Sequence, residues 1–186
     1  MKRRIFTGLV AMVMLVSVMV PSVSAASSDV ADKQVYSMTV DLADVMATGG
    51  SSYKNVNLSL VLDAGDSGWS APVTARFTTL PSNAVVESVE IDPGRVTING
   101  GDSSFLGAIL VTRLNVIAPD GSNKELTFDN DGMETLSFYG VMARGNWTLS
   151  IYGQNLTYPT GDFLDPLRMG TVEYKSAKIT IYYTLE

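Results

Sequence analysis

Histidine and cysteine occur nowhere in this chain. Without histidine there is no Ser-His-Asp or Cys-His nucleophile pair, because the activating base is missing. Without either residue, the commonest zinc and copper ligands are gone. Without cysteine no disulfide can form, so the fold must rest on packing and hydrogen bonds. Lysine is the remaining base for a serine, yet at Lys175–Ser176 the two are sequence neighbours, which point to opposite faces of a strand. Tryptophan occurs twice. No helical periodicity runs far enough to predict a convincing helix.

What is present begins with a basic start, Met1–Lys2–Arg3–Arg4, followed by an apolar run from Ile5 to Val20. Val23–Ser24–Ala25 then places small residues where a signal peptidase cuts. This is the pattern of a secretory signal peptide over 1–25. The apolar run is short for a membrane span, and Pro21 favours cleavage over retention. Loss of Lys2, Arg3 and Arg4 with the leader takes thirteen basic residues to ten against nineteen acidic ones, a formal charge of −9. Such a surface repels nucleic acid and anionic membrane. The expectation is a secreted bacterial protein acting outside the cell, free or held at the surface by a partner.

Residues 26–33 are small and polar and read as a flexible lead-in; 34–186 reads as a single domain. From Gln34 the hydrophobic period is two. Tyr36, Met38, Val40 and Leu42 alternate with Ser37, Thr39 and Asp41; Val56, Leu58, Leu60 and Leu62 alternate with polar neighbours; so do Val73, Ala75 and Phe77. Turn signals such as Asp63–Gly68, Asp92–Pro93–Gly94 and Asn99–Gly100–Gly101 separate the runs. Glu87 breaks the alternation of Val85–Ile91, which predicts a bulge or an edge there. Phe105–Ala118 reads as a central strand covered on both sides, with Leu110, Leu114 and Val116 on one face and Ile109, Val111 and Ile117 on the other. Glu134–Tyr139, Trp147–Tyr152 and Ala177–Leu185 read as further strands. The pattern predicts an all-β, antiparallel, jelly-roll-like β-sandwich of about nine strands.

In the second half, Leu114–Asn115–Val116–Ile117–Ala118–Pro119–Asp120–Gly121 has a strand followed by Pro-x-Gly. Phe138–Tyr139–Gly140 and Gly145–Asn146–Trp147–Thr148–Leu149–Ser150–Ile151 come next, then Gly170–Thr171–Val172 and Ile179–Thr180–Ile181. In order and rough spacing, about residues 84–186 resemble the P domain that follows subtilisin-like proteases. The resemblance implies a jelly-roll sandwich, in some members with bound calcium, and no catalysis of its own. Two features depart from it: Gly153–Met169 is unlike the short acidic turn usual there, and residues 34–83 add strands with no place in the family.

Three chemistries need neither histidine nor cysteine. Asp129–Asn130–Asp131–Gly132 with Glu134 gathers oxygen ligands of the kind calcium takes; the plain alternative is a hairpin closed by a type I′ turn at Asp131–Gly132. Glu87, Glu90, Glu134 and Glu173 are candidate acids for a carboxylate-pair glycoside hydrolase. Tyr152 and Tyr182, pointing outward from strands, with Tyr158 and Phe163 in the 153–169 loop, make a candidate platform for a sugar or a protein. Trp147 reads as core. The leading expectation is a non-enzymatic binding or accessory module whose ligand is a surface glycan or protein. One alternative is a structural subunit joined by strand addition, using 26–33 or the Lys178–Leu185 strand. The other is a small glycoside hydrolase. No cofactor is required, calcium being the one candidate.

Overall fold

The computed structural model describes residues 33–42, 57–100, 109–161 and 169–186. The leader and most of the 26–33 segment lie outside the described residues, as does Phe163.

Among the described residues the alternating sequence becomes twelve strands. They are β1 Tyr36–Asp41, β2 Leu58–Leu62, β3 Ser67–Trp69, β4 Val73–Arg76, β5 Ala84–Asp92 and β6 Arg95–Gly100. The second half gives β7 Ile109–Ile117, β8 Asn123–Thr127, β9 Met133–Thr135, β10 Asn146–Asn155, β11 Gly170–Lys175 and β12 Lys178–Leu185. All pairings are antiparallel. One sheet has the order β1-β12-β5-β9 (sheet A), a second β2-β11-β6 (sheet B), and a third β3-β10-β7-β8 with β4 also on β10 (sheet C). The all-β antiparallel sandwich is as expected, with more strands. β3 forms from residues whose composition reads as a loop, and β11 from a stretch that the sequence marks only by its Gly170–Thr171–Val172 motif.

Period two governs the burial. Leu58, Leu60 and Leu62 point inward from β2 and Trp147, Leu149 and Ile151 from β10. They join Leu114 and Val116 of β7, Val89 and Ile91 of β5, and Ile179 and Ile181 of β12 in one hydrophobic core. Each such side chain contributes roughly 1.5–3 kcal/mol on burial. Trp147 is wholly buried, as the sequence predicts. Its Nε1 donates to the Ala143 carbonyl at 3.0 Å. Its ring meets Phe138 edge-on at 5.1 Å and 78°, the geometry that ring quadrupoles favour.

Sheets A and B share two chain paths. β5 runs into β6 through Pro93–Gly94, and β11 runs into β12 through Ser176–Ala177, so the β5/β12 and β11/β6 pairs form one ribbon bent at these residues. Gly94 sits at φ +71°, where a Cβ would collide with the Lys175 carbonyl oxygen. Opposite it, Ser176 holds φ 61°. At Gly153 a Cβ would lie 2.8 Å from Leu60 Cδ2 and 2.9 Å from the Leu110 carbonyl oxygen, so glycine lets β2 pack closely on β10.

The register shift against β12 skips Glu87, since Tyr182 faces Ser88 and Tyr183 faces Val86. The irregularity read from Glu87 is therefore a bulge, not an edge, since β5 lies between β12 and β9. A second bulge corrects the reading of β7. Tyr152 faces Arg113 but Gly153 faces Val111, leaving Thr112 unpaired. The phase flips there, so Ile109 and Val111 pack against the core and Leu110 is 51% exposed. β7 thus has one core face and one open face.

Three further expectations change. Glu134–Tyr139 is a strand only to Thr135, after which Leu136–Gly140 turns, with Tyr139 N–H donating to the Leu136 carbonyl at 2.9 Å. Asp131–Gly132 does not close a hairpin, because β8 pairs with β7 in sheet C and β9 with β5 in sheet A. Nor is the turn type I′, which needs two positive φ values: Gly132 has φ +110° and Asp131 does not share it. Finally, β12 cannot accept an added strand, since β1 and β5 already flank it; among the described residues the edge strand on that side is β1.

Candidate functional site

The outward residues of sheet A meet in rows. Ser37, Tyr182 and Ser88 form one, Thr39, Thr180, Glu90 and Glu134 the next. The bulge adds Glu87 beside the first row. Where β9 ends, the turn after it raises Leu136 and Tyr139 at one side, and Val35 stands just before β1. Of these, Val35, Glu87, Ser88, Glu90, Glu134, Leu136, Tyr139 and Tyr182 line an open groove of about 470 Å³. Its floor is polar and acidic; Leu136, Tyr139 and Val35 are apolar and exposed at 68%, 65% and 54%.

Glu90 and Glu134 face each other directly across β5 and β9. Like charges in that position destabilise a sheet. Among the described residues, no lysine or arginine pairs with Glu87, Glu90 or Glu134. Two of the three accept neutral hydrogen bonds instead: Glu90 from the Tyr182 hydroxyl at 2.9 Å, Glu87 from the buried Thr184 hydroxyl at 3.1 Å. The bond to Glu90, then burial, then the charges of Glu90 and Glu134 raise the Tyr182 pKa above its ordinary value. The phenol therefore stays a neutral donor. Ser88 is only 8% exposed on the groove floor, and its hydroxyl makes no hydrogen bond among the described residues.

Of the residues singled out in the sequence, Glu134 and Tyr182 come together here, with Glu87 and Glu90. Glu173 lies apart on β11, held by Asn57 Nδ2 at 2.6 Å and near Lys175 Nζ at 3.7 Å. The candidate calcium loop is not a cluster: Asp129 Oδ1 accepts the Asp131 N–H at 3.0 Å, and Glu134 belongs to the groove. No three acidic side chains among the described residues are grouped to hold a metal ion.

Tyr152 does not share a surface with Tyr182, because it lies on sheet C. There it meets Trp69 at 5.2 Å between ring centroids. The Arg113 guanidinium lies 3.8 Å from the Tyr152 centroid and 5.2 Å from that of Trp69. Glu125 fixes it at 3.0 Å. The Arg113 guanidinium therefore stacks on Tyr152, while Trp69 stays 42% exposed beside it. Tyr158 is 84% exposed on its loop. Sequence reading missed Ser88, Leu136 and Tyr139; Gly140, at φ +82°, was the available sign that a turn follows Thr135. The spacing Ser-x-x-Lys also occurs, at Ser51–Lys54, outside the described residues.

No protein-family model matches the chain, and no curated protein matches it. Among solved structures it is similar to FLHE, at 14% identity and TM-score 0.38 over 82% of this chain and 97% of that one. It is also similar to the serine protease of Aeromonas sobria, at 11% identity and TM-score 0.37 over 81% of this chain. The same protease in complex with its chaperone ORF2 gives 12% identity and TM-score 0.38 over 82% of this chain. The chain spans 27% and 28% of those two matched chains. At these scores the likeness carries no functional argument.

Proposed function

We propose that this chain is a non-enzymatic accessory module that works outside a bacterial cell by binding another protein on the outer face of sheet A. The observation that supports it is the groove itself: large apolar side chains left in water beside carboxylates that have no cation among the described residues. Large apolar side chains exposed together beside polar groups are the mark of an interaction surface. A protein ligand is favoured over a glycan because the groove joins apolar side chains to carboxylates, and Tyr152, the outward tyrosine of sheet C, is stacked under Arg113. A glycoside hydrolase is disfavoured because Glu90 and Glu134 are both solvent-exposed, whereas the acid of a carboxylate pair works from a partly desolvated site.

The test is site-specific photo-crosslinking in the cells that produce the protein. A photo-reactive residue at position 136 should capture a discrete protein, identifiable by mass spectrometry, that rebinds when purified. The same residue at position 150, outward on sheet C, should not capture it. Equal capture from both positions would remove the groove from the proposal.

A further inference from the structure

Three features converge on the outer face of sheet A, taken as the protein-binding surface on which this inference rests. The carboxylates of Glu87, Glu90 and Glu134 lack any cationic partner among the described residues. Ser88, itself mostly buried, lies on the groove floor, and its hydroxyl, which makes no hydrogen bond among the described residues, stays open to a ligand in the groove. The third feature is the apolar rim of Leu136, Tyr139 and Val35, which stands above this floor.

We infer that the groove receives a lysine or arginine side chain from a basic segment of the protein partner. The two halves of such a side chain match the two halves of the site. Its aliphatic stem lies against Leu136 and Val35, and its charged head donates to the carboxylates and to Ser88 Oγ, as amphipathic side chains do when they bury a stem and keep a polar tip. Tyr139 adds an aromatic ring at the rim, which attracts a cation. A bare metal ion fits less well, since the acids are not grouped to coordinate one. The surrounding charge agrees: nineteen acidic residues against thirteen basic ones steer a basic partner toward the protein.

The experiment uses the purified protein and three fluorescein-labelled probes: an alternating Lys-Leu peptide, its Glu-Leu counterpart and its Ser-Leu counterpart. The Lys-Leu peptide should bind, at least tenfold more weakly in 500 mM than in 50 mM salt. The Glu90→Gln, Glu134→Gln double variant should lose at least tenfold. Glu125→Gln, Glu173→Gln, which removes the same charge elsewhere, should lose less than twofold. Amide resonances shifted by the peptide in the unaltered protein should cluster at Glu87–Glu90 and Glu134–Tyr139, a readout that needs no variant to fold. Equal loss in both double variants, or shifts spread over the acidic surface, would overturn the inference. Binding of the Ser-Leu peptide that depends on Tyr139 and not on the glutamates would overturn the basic-partner inference and leave the docking reading standing. Failure of all three peptides at the groove, together with no capture from position 136, would overturn both.

Discussion

Tyr182 on β12 donates its hydroxyl to Glu90 on β5 at 2.9 Å, across the strand pair that forms the floor of the groove. The bond sits one row from the point where Glu90 faces Glu134, so a phenol is held among carboxylates. Its pKa is raised in consequence. A raised folded value means that the contribution to stability is complete below the ordinary tyrosine range, about 10. It is lost as pH rises through the folded value. Absorbance titration at the tyrosinate band should therefore find Tyr182 ionising above an ordinary tyrosine. In Glu90→Gln it should shift down toward the ordinary value. An unchanged curve in the variant would show that the bond does not form in solution.

Tyr174 provides a second, independent titration. Burial pushes its pKa up to about 12, and its ring lies 5.0 Å from Phe128. The same sign applies: stability should fall as pH rises from about 10 to 12. Tyr174→Phe should flatten that part of the melting-temperature profile, while Glu90→Gln should leave the Tyr174 titration in place.

The bend at Gly94 should be intolerant. Gly94→Ala meets the Lys175 carbonyl oxygen from a left-handed backbone. Neither the β5–β6 nor the β11–β12 path can move without disturbing two sheets. Chemical denaturation should show a loss of more than about 2 kcal/mol. Gly121→Ala, also at positive φ but with open space around it, should cost less.

Arg113→Ala should uncover the Tyr152 ring on sheet C and open Trp69 further. Trp69 should become more accessible to a neutral fluorescence quencher such as acrylamide, while buried Trp147 keeps its signal. The melting temperature should move by only a few degrees, as expected for an exposed ion pair. A glycan that binds only the variant would confirm that Arg113 keeps the Tyr152 ring closed.

Calcium should not raise the melting temperature. Asp129 is already used within its own turn, and Glu134 faces another surface. Equal transitions in millimolar calcium and in chelator are expected; a calcium-dependent rise of several degrees would restore the Asp129–Glu134 loop as a metal site.

Period two made the core legible: Leu58, Leu60, Leu62, Trp147, Leu149 and Ile151 are inward as their alternation requires. The broken alternation at Glu87 likewise marked a true bulge. The bulge at Thr112 left no such trace, because both faces of β7 are apolar near it and the phase flip merely exchanges one leucine for two β-branched residues. Asp131–Gly132 misled for a different reason. Turn chemistry is local, and it cannot say whether the strands it joins pair with each other or enter separate sheets. The groove was half legible. Glu134 and Tyr182 stood out by type, but their meeting depends on β5 lying between β9 and β12, which is set by the order of strands in space. Leu136 and Tyr139 were concealed because an assumed strand through them hid the turn that lifts them into solvent.

The most direct test takes the protein captured from position 136 and measures its affinity, once purified, for four forms of this chain. The unaltered chain and Arg113→Ala should bind alike, while Tyr139→Ala and Glu90→Gln each weaken binding at least tenfold. Unchanged affinity in both groove variants, or a loss confined to Arg113→Ala, would move the interaction off sheet A and contradict the proposal.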